Sequence, residues 1–275
     1  MCGIAGLVSQ NADLQSVAAA MIAAIAHRGP DGDGIWVDPT NIIALAHSRL
    51  AVVDLSEAGA QPISSPSGRY KIFYNGEIYN SGELKAELER ERVAPKWRGH
   101  SDTEILLASI EHWGLSVALD RILGMFAFAL WDSSLSELHL VRDRLGEKPL
   151  YYGNVGGAFV FASELKAIQV TPGFSGRVDK DTLALYFRRG YVPAPYSIYE
   201  GIYELPPGIW RASTGFRYSF RTNHIFFVSL CGATTNFLGF GRNLLAACHA
   251  RFATTGLRST GCPRQIPRSL KRATA

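Results

Sequence analysis

The sequence predicts an α+β fold in which layers of antiparallel strands pack with a small number of helices. Short apolar and β-branched segments, which suit buried strands, outnumber the segments with helical periodicity. The two kinds of segment also alternate too irregularly for a doubly wound parallel sheet. The chain has 275 residues, of which 47% are hydrophobic and 19% charged, so it can bury a core without disulfides.

Charge divides the chain near Trp210. Residues 1–210 contain 18 Lys and Arg against 24 Asp and Glu, whereas residues 211–275 contain 10 Lys and Arg and no acidic residue. We therefore predict an unrelated basic tail over residues 211–275.

The first strand is predicted over Gly3–Ser9, where the chain is apolar from its second residue onward. Apolar residues then recur at helical spacing from residue 14 to residue 25, behind the candidate caps Asn11 and Asp13. We expect this helix to continue until Gly29-Pro30 stops it.

Later strands are predicted wherever short apolar, aromatic or β-branched segments lie between turn residues. Gly76 interrupts one of them, which indicates a close approach of two backbones. These segments are 34–38, 42–47, 69–79, 125–131, 138–143, 150–152 and 158–162.

Two further helices begin with the sequence pattern of a capping box, in which the cap and the third helical residue bond each other's backbone. One pairs Asn80 with Glu83, and the other pairs Ser101 with Glu104. A third helix is predicted over residues 179–189.

Cysteine usage and the chain start predict a reducing, cytoplasmic setting. The four cysteines lack the spacing of metal ligands, so no metal site is predicted, and no basic and apolar leader precedes the domain. Ile225–Gly241 is uncharged but only 17 residues long and partly polar, so no membrane span is expected. The cations of residues 211–275 are scattered, so no nucleic-acid partner is expected either.

Cys2 is the first candidate for chemistry, because removal of Met1 would leave it with a free α-amine. The unperturbed pKa of an α-amine is roughly 7.7–8.0, so a sizeable fraction is an unprotonated base near neutrality. One residue would then supply both a nucleophilic thiol and its base. On position alone, a chance cysteine is the simpler interpretation.

Nine ordered motifs change that interpretation. They resemble class II glutamine amidotransferases, and their order and spacing resemble the glutaminase half of glutamine-dependent asparagine synthetase. Arg28-Gly29-Pro30-Asp31 is similar to the asparagine synthetase version of its motif, and the resemblance covers roughly residues 2–210. The motifs are Met1–Gly6, His27–Gly32, His47–Asp54, Gly59–Pro62, Tyr74–Asn80, Ser101–Glu104, Gly124–Ala129, Arg142–Gly146 and Phe161–Glu164.

The resemblance implies a four-layered αββα sandwich of the N-terminal nucleophile hydrolase type, in a folded domain over residues 2–190. It also implies the beginning of a linker to a synthetase domain over residues 191–210. It implies L-glutamine as the substrate, hydrolysis to glutamate and ammonia without a cofactor, and a homodimer as the candidate assembly. In the family, ATP and magnesium belong to a following synthetase domain that makes asparagine from aspartate. Residues 211–275 contain no glycine-rich phosphate loop, so we do not expect this chain by itself to make asparagine.

The resemblance implies that Cys2, Asn75 and Gly76 are catalytic. Asn75 offers a side-chain amide, and Gly76 a backbone N–H unobstructed by a Cβ, as donors to a tetrahedral oxyanion. An Asn-Gly pair can instead simply form a hairpin turn, but the flanking Glu77–Asn80 favours the catalytic role.

Glutamine also presents an α-carboxylate and an α-ammonium. Arg49 is expected to clamp the carboxylate in a bidentate fork, although it is otherwise an ordinary surface residue type. Glu77 and Asp102 are expected to hold the ammonium. Asp102 can also stabilise the N-terminus of a helix, because a negative charge there interacts favourably with the helix dipole. The main chain of Leu50, Ala51, Val52 and Val53 is implied to line the glutamine pocket.

Two groups of polar residues are predicted to take no part in the chemistry, and structural or surface roles are expected for the histidines among them. His27, His47 and His100 lack ligand spacing and the mechanism needs no histidine. Arg142 and Asp143 are expected to fix a loop or an interdomain contact.

Two alternatives for the function stay open: ammonia donation to another acceptor, as in asparagine synthetase-like proteins of surface polysaccharide pathways, or a non-catalytic remnant. The tail has three interpretations: a basic extension that binds nucleic acid or membrane, a disordered tail, or out-of-frame translation. We favour the last, because acidic residues vanish, Arg outnumbers Lys nine to one, and the motifs stop together.

Overall fold

A computed structural model describes residues 1–10, 12–40, 42–52, 54–214 and 217–221, with side chains as far as Ile209. The predicted tail beyond Arg221 lies outside the described residues, and so do its three interpretations. Within the described residues, no helix has the length and apolar character required to cross a membrane.

The described strands form two antiparallel sheets. They are β1 (Gly3–Val8), β2 (Gly32–Val37), β3 (Ile43–Arg49), β4 (Ile63–Ser64), β5 (Tyr70–Ile78), β6 (Gly124–Asp132), β7 (Glu137–Arg142), β8 (Tyr151–Val155), β9 (Ala158–Ala162), β10 (Ile202–Glu204), β11 (Trp210–Thr214) and β12 (Arg217–Arg221).

The described α-helices lie between these strands in the chain. They are α1 (Leu14–Ala23), α2 (Ser81–Arg90), α3 (Asp102–Trp113), α4 (Leu115–Arg121), α5 (Leu165–Gln169) and α6 (Lys180–Arg189).

Each sheet has six strands. The first has the order β10-β8-β9-β1-β3-β2, and the second has the order β12-β11-β7-β6-β5-β4. Neighbouring strands are antiparallel throughout. β1, which the candidate nucleophile Cys2 immediately precedes, is a central strand and is hydrogen-bonded on both sides.

Three apolar layers hold the sheets and helices together. Side chains of both sheets, such as Ile4, Phe73 and Phe161, meet in the layer between the sheets. A second layer joins the outer face of the first sheet to α1 and α5. A third joins the outer face of the second sheet to α2, α3 and α4. The fold is therefore the predicted αββα sandwich, which confirms the α+β class.

The first helix ends earlier than predicted. Asp13 caps it, accepting a hydrogen bond from the backbone N–H of Ser16 at 3.2 Å, and the other candidate cap, Asn11, lies outside the described residues. α1 stops at Ala23, and a 3₁₀ turn over Ala26–Arg28 replaces the two predicted last turns. This tighter winding turns Arg28 back toward β1, where its Nε donates to the carbonyl of Cys2 at 3.0 Å.

The two predicted capping boxes are wrong in detail, although both helices begin where expected. The Asn80 side chain bonds the backbone of Arg121 and Leu123 instead of its own helix. Ser101 does cap α3 through the N–H of Thr103. Glu104, however, accepts from the N–H groups of Arg98 and Gly99 rather than from Ser101. In both cases a loop packed beside the helix supplies closer partners.

Several short elements escape sequence analysis, because each is too brief to show a period. They include α4, α5, β4 and β10. The backbone also stays paired beyond the predicted boundary at residue 210, because β11 aligns with β7 from Trp210↔Val141 to Thr214↔Glu137.

Substitution of Phe73 tests how much the apolar layer between the sheets contributes to stability. Phe73 is fully buried there, so Phe73→Ala is expected to lower the free energy of unfolding by about 3–5 kcal/mol. Urea unfolding followed by circular dichroism measures the change. The control Leu135→Ala removes an exposed side chain and should change stability by less than about 0.5 kcal/mol. Equal losses in the two variants would contradict the assignment of the core.

Candidate functional site

A pocket of about 210 Å³ opens where the two sheets face each other at the beginning of β1. Cys2 contributes to its wall from the first sheet, and Asn75 and Gly76 contribute from the second. The structure thus brings together the three residues predicted to be catalytic, although 73 residues separate Cys2 from Asn75 in the sequence.

The thiol of Cys2 lies against the backbone of Leu50, just after β3. The Leu50 N–H points at Sγ over 3.4 Å, and the Leu50 carbonyl lies 3.6 Å from the same sulfur. Cys2 is partly buried. The sulfur is therefore held beside the loop that begins at Leu50.

The main chain at Cys2 is held from behind by an ion pair. Arg28, which is buried, donates through Nε to the Cys2 carbonyl and through Nη1 to Glu164 at 2.8 Å. His27 binds the same carboxylate at 3.1 Å. Ser163 fixes the backbone two residues after Cys2, because its Oγ accepts from the N–H of Ile4 at 3.0 Å.

Asn75 presents an uncommitted donor. Its side chain is only 2% exposed, yet its Nδ2 has no hydrogen-bond partner among the described residues. A buried amide left unpaired costs roughly 1–3 kcal/mol, and such an orphan in a native fold points to a ligand.

Gly76 makes the predicted close approach. A Cβ on this residue would lie 2.3 Å from the Met125 carbonyl oxygen and 2.7 Å from the Cα of Phe126. Neither atom is the end of a flexible side chain, so β5 and β6 can pair here only around a glycine.

The orientation of Asn75 is set by its neighbour Tyr74. The Gln61 side chain accepts from the Tyr74 N–H at 2.6 Å and donates to the Tyr74 carbonyl at 3.0 Å. His47 lies 3.2 Å from that carbonyl through Nε2. Because a carbonyl can only accept, Nε2 carries the proton of His47. These side chains take the place of a neighbouring strand along this stretch of β5.

Arg49 both faces the pocket and orders its rim. Its Nη2 donates to the carbonyls of Asp54 and Ser56 at 2.6 and 2.7 Å. Asp54 in turn accepts from the N–H of His100 and from Ser56, and these hydrogen bonds lower the pKa of the Asp54 carboxyl to about 2. The predicted pocket wall after Arg49 is thus a braced loop.

Leu50, Ala51 and Val52 of this loop line the pocket. Asp31 accepts from the N–H of Ala51 at 2.8 Å, which ties the loop to the beginning of β2. Val53 lies outside the described residues, so its predicted place in the wall stays a prediction.

Two acidic residues line the opposite side of the pocket. Asp102 is the first residue of α3 and accepts from the Tyr74 hydroxyl at 3.0 Å and the Ile78 N–H at 2.8 Å. Burial raises the pKa of Asp102 above its ordinary value, against the opposing effect of these hydrogen bonds. Glu77 is exposed at the mouth.

The three histidines lie in different settings. His47 is buried, and burial lowers its pKa to about 4. His27 lies on the surface beside Glu164, and His100 is exposed and bonds Asp54 only through its backbone N–H. Within the described part of the chain, no group of three or more His, Cys, Asp and Glu is arranged to hold a metal ion.

Four residues of the site lack a signal that sequence analysis used. Gln61 and Asp31 act through backbone contacts that only the fold creates. Met125 and Lys148 reach the pocket from distant parts of the chain. Asp31, Gln61 and Met125 lie within the nine motifs, which do not separate site residues from structural ones, and Lys148 lies outside all nine.

His47 predicts a pH dependence of stability. Its pKa is about 4 in the folded chain and about 6.5 when unfolded, so below pH 6.5 the unfolded state binds a proton that the folded state does not. Stability should therefore fall from pH 6.5 to pH 4, by up to about 1.4 kcal/mol per pH unit for this residue.

Urea unfolding between pH 7 and pH 4.5 measures this slope. His47→Gln should make the slope shallower, and the exposed control His100→Gln should leave it unchanged. Burial also lowers the pKa of His139 to about 4. Part of the pH dependence of stability should therefore remain in both variants. An unchanged slope in His47→Gln would contradict the assignment.

Comparison with known proteins agrees with this geometry. The family model described as "Glutamine amidotransferase domain" matches residues 1–221. Asparagine synthetase [glutamine-hydrolyzing] 3 of Bacillus subtilis is 38% identical over 218 residues, covering 75% of this chain and 34% of the relative. A putative asparagine synthetase [glutamine-hydrolyzing] 2 of Methanocaldococcus jannaschii is 36% identical over 224 residues, covering 74% and 42%.

A third relative, the amidase chry2 of Gibberella zeae, is 33% identical over 223 residues, covering 76% of this chain and 32% of its own length. The chain thus spans about a third of the length of the Bacillus subtilis and Gibberella zeae relatives.

Solved structures show the same architecture. The glutamine phosphoribosylpyrophosphate amidotransferase of Bacillus subtilis superposes with a TM-score of 0.58 at 20% identity, over 78% of this chain and 47% of that one. At this identity the likeness concerns the fold, which is that of the N-terminal nucleophile hydrolases. Since the family match spans the two sheets and the whole pocket between them, the chain belongs to the glutamine amidotransferase domain family.

Proposed function

We propose that this domain hydrolyses L-glutamine to glutamate and ammonia, with Cys2 as the nucleophile after removal of Met1. The observation that carries the proposal is the buried, unpaired amide of Asn75 in the same pocket as the Cys2 thiol. A buried donor with no partner among the described residues, in the same pocket as a nucleophile, is suited to an oxyanion that exists only during the reaction.

The first step forms a thioester. The α-amine of Cys2 takes the thiol proton, and Sγ attacks the carbon of the glutamine side-chain amide. The amide oxygen becomes a tetrahedral oxyanion, which Nδ2 of Asn75 and the N–H of Gly76 stabilise. The α-amine then returns its proton to the leaving nitrogen, the C–N bond breaks, and ammonia departs.

The second step releases glutamate. Water adds to the thioester carbon as the α-amine takes one of its protons, and the same two donors stabilise the second oxyanion. The C–S bond breaks, Sγ regains its proton, and glutamate leaves. The domain needs no cofactor for either step.

Arg49 is proposed to bind the α-carboxylate of glutamine. Both of its described hydrogen bonds use Nη2, so the remaining edge of the guanidinium is proposed to face the substrate. Asp102 and Glu77 are proposed to hold the α-ammonium, and the main chain of Leu50, Ala51, Val52 and Val53 to enclose the carbon chain.

The ammonia is proposed to serve asparagine formation. The names of the Bacillus subtilis and Methanocaldococcus jannaschii relatives support this acceptor over a surface polysaccharide precursor. Aspartate activation with ATP and magnesium is proposed to belong to a synthetase region that those relatives' additional length can hold. A cytoplasmic location, a homodimer and the absence of nucleic-acid or membrane partners are proposals that rest on the family resemblance and composition.

Removal of the oxyanion donor gives the sharpest test. Asn75→Ala is expected to lower the turnover of glutamine by about 10²–10³ and to change KM little, because the donor acts on the transition state. A coupled assay for glutamate measures the turnover and KM, and Cys2→Ala gives the background rate. The exposed control Asn154→Ala should match the unsubstituted protein. Turnover of Asn75→Ala within threefold of the unsubstituted rate would refute the assigned role.

Substrate binding by Arg49 has a separate test. Arg49→Lys should raise KM for glutamine about tenfold or more, because an ammonium cannot form the planar fork. A glutamine derivative whose α-carboxylate is converted to an amide lacks the group that Arg49 is proposed to bind. The unsubstituted protein and Arg49→Lys should therefore hydrolyse this derivative about equally. If the variant is impaired to the same degree on both substrates, Arg49 acts only by bracing the loop.

A further inference from the structure

The pocket contains a cation that the proposed mechanism does not use. Lys148 lines the same cavity as Cys2 and Asn75, and the lysine is only 6% exposed. Lysines are rarely so buried without a counter-charge. Its presence here therefore needs a physical explanation.

The loop that carries Lys148 is rigidly built. The fully buried carboxylate of Asp143 accepts from the N–H groups of Leu145, Glu147 and Lys148, all at 3.0 Å. Arg142 braces the loop from the other side and donates through Nε to the Lys148 carbonyl at 2.8 Å. The backbone at Lys148 is thus fixed at both its N–H and its carbonyl.

The side chain of Lys148 has only a weak partner. Its Nζ lies 3.4 Å from the thioether sulfur of Met1, and a thioether is a poor acceptor. Among the described residues, no carboxylate lies within 4.0 Å of the ammonium. Removal of Met1 takes even this partner away and leaves the ammonium in the pocket that Cys2 also lines.

We propose that Lys148 is a positioning residue that favours the thiolate of Cys2 and the uncharged form of its α-amine. This inference rests on the proposed function, in which Cys2 is the processed first residue. Lys148 contacts no reacting bond and acts through Cys2.

Two electrostatic effects of the cation work in the same direction. A nearby positive charge stabilises a thiolate, and it destabilises a second positive charge on the α-amine. Both effects shift the N-terminal residue toward the state that attacks glutamine: a sulfur anion beside an amine free to accept a proton. A carboxylate in the same place would have the opposite effect on both groups.

Other charged groups that line the pocket also affect the protonation of Cys2. Asp102 and Glu77 oppose the effect of Lys148, and Arg49 adds to it. Arg28 and Glu164, which form an ion pair behind the Cys2 carbonyl, largely offset each other. The ionisable side chains of the pocket besides Cys2 and Lys148 are His47, Arg49, Asp54, Tyr74, Glu77 and Asp102.

Alkylation of Cys2 by iodoacetamide tests the proposal in the full chain without Met1. The rate is measured from pH 5 to pH 10, and peptide mass mapping separates Cys2 from the three later cysteines. Lys148→Met keeps the length and removes the charge. It should raise the midpoint of the Cys2 profile by about one pH unit, which makes alkylation about tenfold slower at pH 6.

Charge-conserving and remote variants provide the controls. Lys148→Arg should keep the midpoint close to that of the unsubstituted protein, and the exposed control Lys166→Met should leave it unchanged. Lys148→Gln repeats the test with a polar neutral side chain in case the methionine variant folds poorly. An unshifted midpoint in either folded neutral variant overturns the proposal, and so does an equal shift in Lys148→Arg.

Failure of this inference can be told apart from failure of the proposed function. Alkylation needs no glutamine, so the midpoint reports on Cys2 even in a protein that does not hydrolyse it. A shifted midpoint in a protein without glutaminase activity would count against the function alone. Full activity with an unshifted midpoint would count against Lys148 alone.

Discussion

Nδ2 of Asn75, which has no hydrogen-bond partner among the described residues, is the feature on which the account of this pocket depends. Leaving it unpaired costs roughly 1–3 kcal/mol in the resting protein. The contacts around Asn75 hold it in place despite this cost. Gln61 and His47 fix the backbone of Tyr74, the residue before it, and the close pairing of β5 with β6 fixes Gly76, the residue after it. The site is therefore organised for a charge that appears only during reaction.

The sandwich brings this donor to the nucleophile. Cys2 immediately precedes a central strand of one sheet and Asn75 lies in a strand of the other, so the apolar layer between the sheets holds them opposite each other. The loop after β3 closes the remaining side, since Leu50 contacts the Cys2 sulfur and Arg49 braces the rim. Neither sheet forms the pocket alone.

Sequence reasoning recovered what depends on local pattern. The long strands, the beginnings of the helices and the need for glycine at position 76 follow from periodicity and sterics. Asn80 and Glu104 were misassigned because packed neighbours offered partners that no local pattern records. Lys148 was missed for a similar reason: its loop is defined by Asp143, and its place in the pocket exists only after β6 and β7 have paired.

The central claim is that Cys2, freed of Met1, attacks the glutamine side chain. A glutamine analogue with an alkylating ketone in place of the amide, followed by mass spectrometry of the N-terminal peptide, tests it most directly. We expect the label on Cys2 alone, on peptides that begin at Cys2, with labelling in step with the loss of glutaminase activity. Labelled and active protein that still carries Met1 would contradict the account.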